Sequence, residues 1–417
     1  MPDLRYLLFL VCLALATLSQ PSLADDELFR LVGQRLEQMQ AVAAYKWKNN
    51  LPVQDLNREK AILDQAAQEA VQAGLRAEAA RDFFQAQMDA AKEIQYYWIQ
   101  KWKQGGPFSA SPEDLTQIRL RLNDLGEGII ARMKTASTLP IDENTKKTFQ
   151  HHTQIEGLGN ETRNNLYVNL ILVLPPEDFN TLDRIRLTGK VRVATTGDYA
   201  PFSFAENDGD YTGIDIDMAR SLASHLDAEV EWIHTSWPDL LQDLKSNRFD
   251  IAMSGISVRK ERAEFGHFSI PYHRGGKTPI ARCEDKDKYS SLEKINLPGV
   301  RVIVNPGGTN YAFASQNISS ASLRIHEDNR TIFDEIAEGR ADVMITDAIE
   351  VTLKTGRDNR LCPTMPGKTL TSLAKAYLAP KDDRFIYKVN IWLKRQIDQG
   401  HFKSALEEHM QKEFIRK

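Results

Sequence analysis

The sequence predicts two domains of different fold class, an all-α first part and an α/β second part. Before Val173, apolar residues recur at spacings of three and four, which is typical of amphipathic helices. After Leu182, short runs rich in valine and isoleucine alternate with helical segments, a pattern that favours an α/β fold with parallel strands. The 417 residues suffice for two domains of roughly 150–250 residues each.

The first part is predicted to be helical over residues 26–172, with breaks where helix-breaking residues cluster. A long helix is predicted from about Glu78. Ser111 is predicted to cap the next helix, which puts Glu113 and Asp114 in its first turn, where negative charge favours the helix dipole. A last helical stretch is predicted from Pro140. The breaks lie at Leu51-Pro52, Gly105-Gly106-Pro107, Pro112 and Leu174-Pro175-Pro176.

The second part is predicted to span residues 182–415, after a linker over residues 173–181. Ligands of such folds bind beyond the carboxyl ends of the parallel strands, so the loops that follow the strands are where a site is expected. The predicted strands lie at residues 191–194, 230–233, 251–253, 302–304 and 343–345, and helices are predicted at residues 215–225, 237–247 and 329–339.

Residues 1–24 have the features of a cleavable secretion signal. Arg5 gives a weak positive end, an apolar stretch follows over residues 7–18, and small residues precede Asp25. The apolar stretch is shorter than the roughly 20 residues of a membrane-spanning helix. We therefore expect a periplasmic protein with no stable membrane span after signal removal. The alternative is an uncleaved N-terminal anchor.

Two cysteines, Cys283 and Cys362, are left once Cys12 is removed with the predicted signal. In an exported protein, an even pair of cysteines is typical of a disulfide. The alternative is a pair of unpaired buried thiols, because sequence spacing does not test disulfide geometry.

The charge balance argues against nucleic acid as a partner. The formal net charge is -4, from 53 basic and 57 acidic side chains without a long block of one sign. The sequence contains no HExxH, CxxC or phosphate-binding GxxxxGK[ST] motif, and we predict no cofactor and no metal. His151 and His152 are predicted to be solvated. The sequence does not fix the oligomeric state, and a homodimer is compatible with it.

The second part resembles the polar amino-acid-binding receptor superfamily, which has a two-lobed periplasmic binding protein type II fold. The resemblance covers nearly all of residues 182–415 and is carried by the runs GDYAPFSF (197–204), GIDIDMA (213–219) and FDIAMSGIS (249–257). More specifically, it is similar to cyclohexadienyl dehydratases, which convert prephenate to phenylpyruvate or arogenate to phenylalanine. The runs shared with that branch are ATTGDY (194–199), TSWP (235–238), GKTPI (276–280), VNPGGTN (304–310) and TDAIE (346–350).

The reaction implied by this resemblance needs one general acid. Prephenate loses carbon dioxide and its ring hydroxyl together, and protonation of the departing oxygen helps the step. A carboxyl group in a partly desolvated cleft can stay protonated near neutral pH. The resemblance implies that Glu350 is this acid. From the residues alone, Glu350 is equally compatible with an exposed glutamate in a first helical turn.

The resemblance also implies a set of substrate-binding residues. Arg262 is expected to hold a ligand carboxylate, for which a guanidinium fork is suited. Asp347 matches an acid that meets the ligand ammonium in amino-acid receptors, which leaves arogenate use open because prephenate has no ammonium group. The other expected contacts, as ring walls or polar donors, are Tyr199, Trp237, Ser254, Ser257, Lys277, Asn305 and Thr309.

The helical part resembles the exported all-helical chorismate mutases, over residue 27 to about residue 172. The matching runs are QRLE (34–37), AYKWK (44–48), LPVQD (51–55), Arg58-Glu59 and EIQYY (93–97). The rearrangement of chorismate to prephenate requires no covalent catalyst. It requires a dianion held in its reactive conformer and fixed cations near the ether oxygen.

The resemblance assigns roles within this set. Lys46 is expected to donate to the ether oxygen with Gln95 as a neutral companion. Asp55 and Glu59 are expected to contact the ring hydroxyl or orient the cations. At two positions, Ala91 and Ile62, this sequence has apolar residues where some relatives have polar ones. We expect these changes to weaken substrate binding without removing the catalytic cations. The expected carboxylate-binding residues are Arg35, Arg58 and Arg119.

Together these expectations describe an exported enzyme of phenylalanine biosynthesis that converts chorismate to prephenate and then prephenate to phenylpyruvate. Two alternatives stay open at the level of sequence. The first is an amino-acid-binding transport receptor with a helical fusion partner and no turnover. The second is a dehydratase whose helical part is only structural.

Overall fold

The computed structural model describes residues 23–108, 113–136, 138–206 and 209–411. The described residues form two compact units, and the boundary between them lies between Phe179 and Asn180. The predicted secretion signal lies outside the described residues apart from its last two positions, and so does the predicted helix cap at Ser111.

The first unit is built from helices that pack around the long helix α4. Phe83 and Ile94 of this helix are fully buried, and α4 packs against α2, α3 and α7, while α1 packs against α5. The helices are α1 (Leu23–Glu37), α2 (Met39–Lys48), α3 (Leu56–Gln72), α4 (Ala77–Lys103), α5 (Leu115–Ala136), α6 (Glu143–His152) and α7 (Asn160–Val173).

Some sequence predictions for this unit need correction. Helix α5 begins at Leu115, so Glu113 and Asp114 precede the helix and do not lie in its first turn. The last helical stretch is two helices, α6 and α7, and a glycine with positive φ, Gly157, lies in the turn between them. His151 is exposed, as predicted, whereas His152 is partly buried and its Nε2 lies 2.8 Å from Asp26 Oδ1, so solvation is confirmed for the first histidine only.

The second unit has two lobes, each centred on a five-stranded sheet. The first lobe begins with α8 (Thr181–Thr188), β1 (Lys190–Thr195), β2 (Asp198–Tyr199), β3 (Ser203–Ala205), β4 (Tyr211–Thr212), α9 (Ile214–His225), β5 (Glu229–His234), α10 (Leu240–Lys245), β6 (Ile251–Ala252), α11 (Lys260–Ala263) and β7 (Gly266–Phe268).

The chain then crosses to the second lobe and later returns to complete the first. The elements of this passage are β8 (His273–Gly275), β9 (Lys277–Arg282), α12 (Leu292–Ile295), β10 (Arg301–Val304), α13 (Gly308–Asn317), β11 (Ser322–Ile325), α14 (Ile332–Ala337), β12 (Val343–Asp347), α15 (Ala348–Thr355), β13 (Leu361–Pro363), β14 (Leu373–Lys375), β15 (Leu378–Pro380), α16 (Asp383–Asp398) and α17 (His401–Gln411).

The strand order is β5-β1-β6-β15-β7 in the first lobe and β11-β10-β12-β9-β13 in the second. Strand β1 pairs in parallel with β5 and β6, and β10 pairs in parallel with β11 and β12, as the alternating pattern predicts. Each sheet also contains antiparallel strands, which that pattern did not indicate. The two crossing segments pair with each other through β8 and β14.

The predicted disulfide is confirmed. Cys283 follows β9, Cys362 lies in the neighbouring strand β13, and their sulfurs are 2.06 Å apart. Within the part of the chain that the structure describes, no helix is both long and apolar enough to cross a membrane.

Two candidate active sites

The helical unit encloses a cavity of about 480 Å³. Helices α1 to α5 all contribute to its wall, and the predicted cations approach it from four of them. Among the described residues, the cationic side chains that line the cavity are Arg35 of α1, Lys46 of α2, Arg58 of α3 and Arg119 of α5. The structure therefore brings together residues that are separated by up to 84 positions in the sequence, from 35 to 119.

None of these four cations forms an ion pair with a carboxylate of the described chain. Arg35 Nη1 donates to Gln87 Oε1 at 2.8 Å, and Lys46 Nζ donates to the Val53 carbonyl oxygen at 2.8 Å. Burial lowers the pKa of Arg35 to about 10, and burial followed by the charge of Arg119 lowers the pKa of Lys46. Cations that repel one another in a partly buried cavity favour an anionic ligand.

Gln95 lies on the buried face of α4, at the cavity wall. Its Nε2 donates to the Ala91 carbonyl oxygen at 3.0 Å, whereas its buried Oε1 has no hydrogen-bond partner in the structure. The buried Nε of Arg35 also lacks a partner. Buried polar atoms normally have partners, so these two atoms indicate a polar ligand of this cavity.

The two predicted acids are placed differently. Asp55 lines the cavity and caps α3, because its side chain accepts a hydrogen bond from the Arg58 backbone N–H. Glu59 does not line the cavity; one of its oxygens accepts from the Asp55 backbone N–H and the other pairs with Lys92 at 3.1 Å. Glu59 therefore orients the start of α3. The cavity wall also contains Ala91 and Ile62, and it includes polar residues that sequence reasoning missed: Glu69, Asn123 and Glu127.

In the second unit, the loops at the carboxyl ends of the parallel strands meet in a cleft with a cavity of about 20 Å³. This volume is close to that of one water-sized probe. Binding of a ring with two carboxylates therefore requires the lobes to separate. The predicted residues that line the cleft are Tyr199, Trp237, Ser257, Arg262, Asn305, Thr309 and Asp347.

Asp347 is the polar centre of this cleft. Its Oδ1 accepts from Lys277 Nζ at 3.2 Å, and its Oδ2 accepts from Lys375 Nζ at 2.6 Å and from the Tyr199 hydroxyl at 2.5 Å. Burial acts to raise the pKa of Asp347, but the charges of Lys375 and Lys277 outweigh burial and hold it below its usual range. Asp347 is therefore an anion with both oxygens engaged.

Arg262 supplies a cation that is not neutralised. It donates from Nη1 to the Ser257 carbonyl oxygen at 3.1 Å, and no carboxylate of the described chain lies within ion-pair distance. Burial, followed by the charge of Arg259, lowers its pKa to about 10. A partly buried guanidinium with free donors is suited to a ligand carboxylate.

Glu350 lies in the first turn of α15 and is 2% exposed, so the alternative of an exposed glutamate is excluded. Its Oε2 accepts from the Thr346 hydroxyl at 2.5 Å, and Thr346 in turn accepts from Asn310 Nδ2 at 3.0 Å. Burial raises the pKa of Glu350 to about 7. Glu350 does not itself line the cleft cavity, but Asn310 does, so a hydrogen-bonded chain joins Glu350 to the cleft.

Ser254 and Lys277 lie behind the cleft wall. Ser254 accepts from the Thr196 backbone N–H at 3.2 Å and from Thr195 at 3.5 Å, which holds the loop after β1 in place. Lys277 is 1% exposed and donates to Thr309 Oγ1 at 3.1 Å. Lys277 thereby supports Thr309, which lines the cleft.

Sequence reasoning missed three residues that line the cleft: Lys375, Asn310 and Asn329. Lys375 is the one charged residue in the otherwise uncharged and mostly apolar run Leu373 to Ala379, and a charge isolated in such a run is a signal that could have found it. Asn329 donates from Nδ2 to the Asp198 carbonyl oxygen at 3.0 Å, so it connects the second lobe with the first.

Comparison with known proteins identifies both units. Residues 191–412 match the family model of bacterial extracellular solute-binding proteins, family 3. The chain belongs to this family. Residues 22–96 match the model of chorismate mutase type II. The two-lobed fold predicted for the second part and the helical mutase region predicted for the first are thereby confirmed.

Three similar proteins extend this result. The solute-binding-protein unit is similar to a cyclohexadienyl dehydratase of Pseudomonas aeruginosa, 47% identical over 226 residues, which are 54% of this chain and 84% of that protein. The crystal structure of the ancestral amino acid-binding protein AncCDT-1, a precursor of cyclohexadienyl dehydratase, covers 56% of this chain and all of its own, with 34% identity and a TM-score of 0.52.

The helical unit is similar to a monofunctional chorismate mutase of Enterobacter agglomerans, 32% identical over 154 residues, which are 36% of this chain and 84% of that protein. The chain thus combines homologues of two enzymes. Membership in an extracellular solute-binding family indicates a location outside the cytoplasm.

Proposed function

We propose that the chain catalyses two consecutive reactions, chorismate to prephenate in the helical unit and prephenate to phenylpyruvate in the solute-binding-protein unit. The observation that carries this proposal is Glu350, a fully buried carboxyl group with a pKa of about 7, connected to a cleft whose other charged side chains are Arg262, Lys375 and Asp347. A receptor that only holds a ligand gains nothing from such an acid, whereas a dehydratase needs one. The likeness to two enzymes supports the same assignment.

In the helical unit, the cations act on the chorismate dianion by position and charge. Arg35, Arg58 and Arg119 bind the two carboxylates and hold the side chain over the ring. Lys46 and Gln95 donate to the ether oxygen, where negative charge grows as the carbon–oxygen bond breaks. Because all bonds break and form within the substrate, no proton is transferred and no cofactor is required.

In the second unit, Glu350 gives its proton to the ring hydroxyl of prephenate, which leaves as water. The bond between the ring and its carboxylate breaks at the same time, carbon dioxide departs, and the electron pair completes the aromatic ring. Arg262 binds the carboxylate of the side chain and so orients the ring. Glu350 then regains a proton from solvent, and the phenylpyruvate product is released as the lobes separate.

The second candidate function is amino-acid binding without turnover. Likeness to the ancestral amino acid-binding protein AncCDT-1 favours it, as does the retained acid Asp347. A third option, a dehydratase with a purely structural helical unit, is disfavoured by the unpaired cations around the cavity of about 480 Å³.

We place the mature protein in the periplasm, after removal of residues 1–24 as a signal. The disulfide between Cys283 and Cys362 supports an oxidising compartment, and the family of extracellular solute-binding proteins supports export. The homodimer stays a prediction.

In the deciding experiment, the purified mature protein is incubated with chorismate as the sole substrate, and the concentrations of prephenate and phenylpyruvate are measured over time. Phenylpyruvate that appears after a short lag is the expected result. Accumulation of prephenate without phenylpyruvate would support the chorismate mutase activity alone and contradict the dehydratase activity. Unchanged chorismate together with unchanged prephenate would contradict both assignments and favour the receptor.

A further inference from the structure

Gln87 is a fully buried amide of helix α4 that forms a hydrogen bond with one of the cations around the first cavity. Its Oε1 accepts from Arg35 Nη1 of α1 at 2.8 Å, so the bond joins two helices through residues that are 52 positions apart in the sequence. A guanidinium has donors and no acceptor, so only the oxygen of the amide can face it. The contact therefore fixes which way the amide of Gln87 is turned.

The surroundings of Gln87 on its own helix are apolar. Phe83 and Phe84 lie one turn before it, Ala91 lies one turn after it, and all three are buried. The Nε2 of Gln87 is also buried and has no hydrogen-bond partner among the described residues. An unpaired buried donor lowers stability, and an apolar side chain of the same length would avoid this loss. Packing alone therefore does not account for an amide at this position.

The partner that the chain gives to Arg35 is neutral. Within the described ranges, Gln87 is the only side chain that forms a hydrogen bond with this guanidinium. Burial lowers the pKa of Arg35 to about 10, and no carboxylate of the described residues offsets this effect. A carboxylate in place of the amide would form an ion pair with Arg35 and cancel its charge. The amide binds the guanidinium and leaves its positive charge to a ligand.

Gln87 lies behind the cavity wall to which Arg35 belongs. Arg35, Met88 and Ala91 line the cavity, whereas Gln87 does not. Gln87, Ala91 and Gln95 follow one another at a spacing of four, so they lie along one face of α4. Arg35 Nε is buried and has no partner among the described residues, so the guanidinium keeps a free donor beside its bond with Gln87. The amide thus supports the cation from outside the cavity.

Resting on the proposed chorismate mutase activity, we propose that Gln87 is a positioning residue of the helical site, which holds the Arg35 guanidinium in place without neutralising it. Gln87 acts through Arg35 and does not touch the substrate. Its oxygen engages Nη1, and the remaining donors of the guanidinium are left for a carboxylate of chorismate. The neutrality of Gln87 matters as much as its hydrogen bond, because a dianion is bound by cations whose charge is not already compensated.

Gln87→Glu separates these two properties. The change keeps the size and the acceptor but puts a carboxylate on Arg35, so the KM for chorismate should rise by about 10–100-fold while kcat changes less. A role in packing alone predicts a wild-type KM wherever the fold is retained. Thermal unfolding and prephenate dehydration by the second unit report whether the variant chain is folded.

Gln85→Glu is the matched control. Gln85 lies two positions earlier on the same helix, its Nε2 donates to Asp89 Oδ1 at 3.0 Å, and it does not line the cavity. The control adds the same charge to the same helix away from Arg35, so its KM for chorismate should stay at the wild-type value. A rise in KM in both variants would assign the effect to the net charge of the helix and overturn the inference.

A double-mutant cycle tests whether Gln87 acts through Arg35, and it stays decisive if Gln87→Glu does not fold. Gln87→Met keeps the length and removes the acceptor, and it should lower kcat/KM for chorismate by about 5–10-fold. In the Arg35→Ala background the same change should have no further effect, because the cation that Gln87 positions is gone. Equal losses in both backgrounds would overturn the inference, and so would a wild-type KM in a folded Gln87→Glu chain. Either result leaves the proposed function intact, whereas a wild-type chain that does not convert chorismate would overturn the mutase assignment and the inference with it.

Discussion

Glu350 and Asp347 lie three positions apart at the start of the same helix, yet their pKa values are shifted in opposite directions. Burial raises the pKa of Glu350 to about 7, whereas Lys375 and Lys277 overcome burial and lower the pKa of Asp347. One acid therefore keeps its proton near neutral pH and the other does not. Such a separation is how neighbouring carboxyl groups acquire different roles in catalysis.

Glu350→Gln tests the proposed acid. The amide cannot deliver a proton to the leaving hydroxyl, so kcat for prephenate dehydration should fall by about 10²–10⁴-fold. Conversion of chorismate to prephenate by the same protein should be unchanged and serves as the internal control. A variant that still dehydrates prephenate at the wild-type rate would remove Glu350 from the mechanism.

The pH dependence of dehydration follows from the same carboxyl group. Glu350 must be protonated to act as an acid, and its pKa is raised to about 7. The rate should therefore be highest below this pKa and decline about tenfold per pH unit well above it. A kcat profile between pH 5.5 and pH 9 measures this, in roughly half-unit steps around the expected pKa. A rate that rises with pH through this range would contradict a general acid.

Lys46→Ala tests the helical site. Loss of the donor to the ether oxygen should lower kcat for chorismate rearrangement by about 10²–10³-fold, while prephenate dehydration stays at its wild-type rate. Lys48→Ala is the matched control, because Lys48 ends the same helix but is exposed and does not line the cavity. Equal losses in both variants would point to helix stability as the cause.

At the scale of elements, the disulfide ties the end of β9 to the neighbouring strand β13 in the second lobe. It closes a loop with a sequence separation of 79. Replacing both Cys283 and Cys362 by alanine should lower the free energy of unfolding of this unit by about 2–4 kcal/mol. Denaturant unfolding of oxidised wild type against the double variant measures the loss. An unchanged midpoint would show that the bridge does not constrain the unfolded chain.

The elements show which parts of the fold are readable from sequence. Periodicity located the helices around the first cavity and the parallel strands β1, β5, β6, β10 and β12, because each has a local pattern. It did not identify the antiparallel strands β9, β13 and β15 as members of the two sheets. Their partners are distant in sequence, and a strand's direction within a sheet leaves no local mark.

The site residues, too, could be predicted only where a local sequence pattern marks them. Residues in motif loops, such as Arg262 and Asp347, were found because their neighbours in the sequence mark them. Lys375 comes to the cleft from the second crossing segment, 28 positions after Asp347, and only the folded chain brings the two together. Ser254 lies in a motif loop but points to the loop after β1, and sequence does not report the direction of a side chain.

At the scale of the whole molecule, the two sites belong to separate compact units on one chain. If prephenate passes between them through solvent, the sites can reside on different chains. An equimolar mixture of the Lys46→Ala and Glu350→Gln proteins should then convert chorismate to phenylpyruvate, although neither variant does so alone. The measurement is phenylpyruvate formation by each variant and by the mixture. A mixture that stops at prephenate would show that transfer requires both sites in one chain.

The strand order of the first lobe has a consequence for how the chain is made. Strand β15 lies between β6 and β7 in the sheet, although more than a hundred residues separate β6 from β15 along the chain, from Ala252 to Leu378. As synthesis proceeds from the N-terminus, the helical unit and the sheet of the second lobe are complete before β15 emerges. The mutase can therefore mature early, whereas the dehydratase cleft is assembled last, when β15 closes the first sheet.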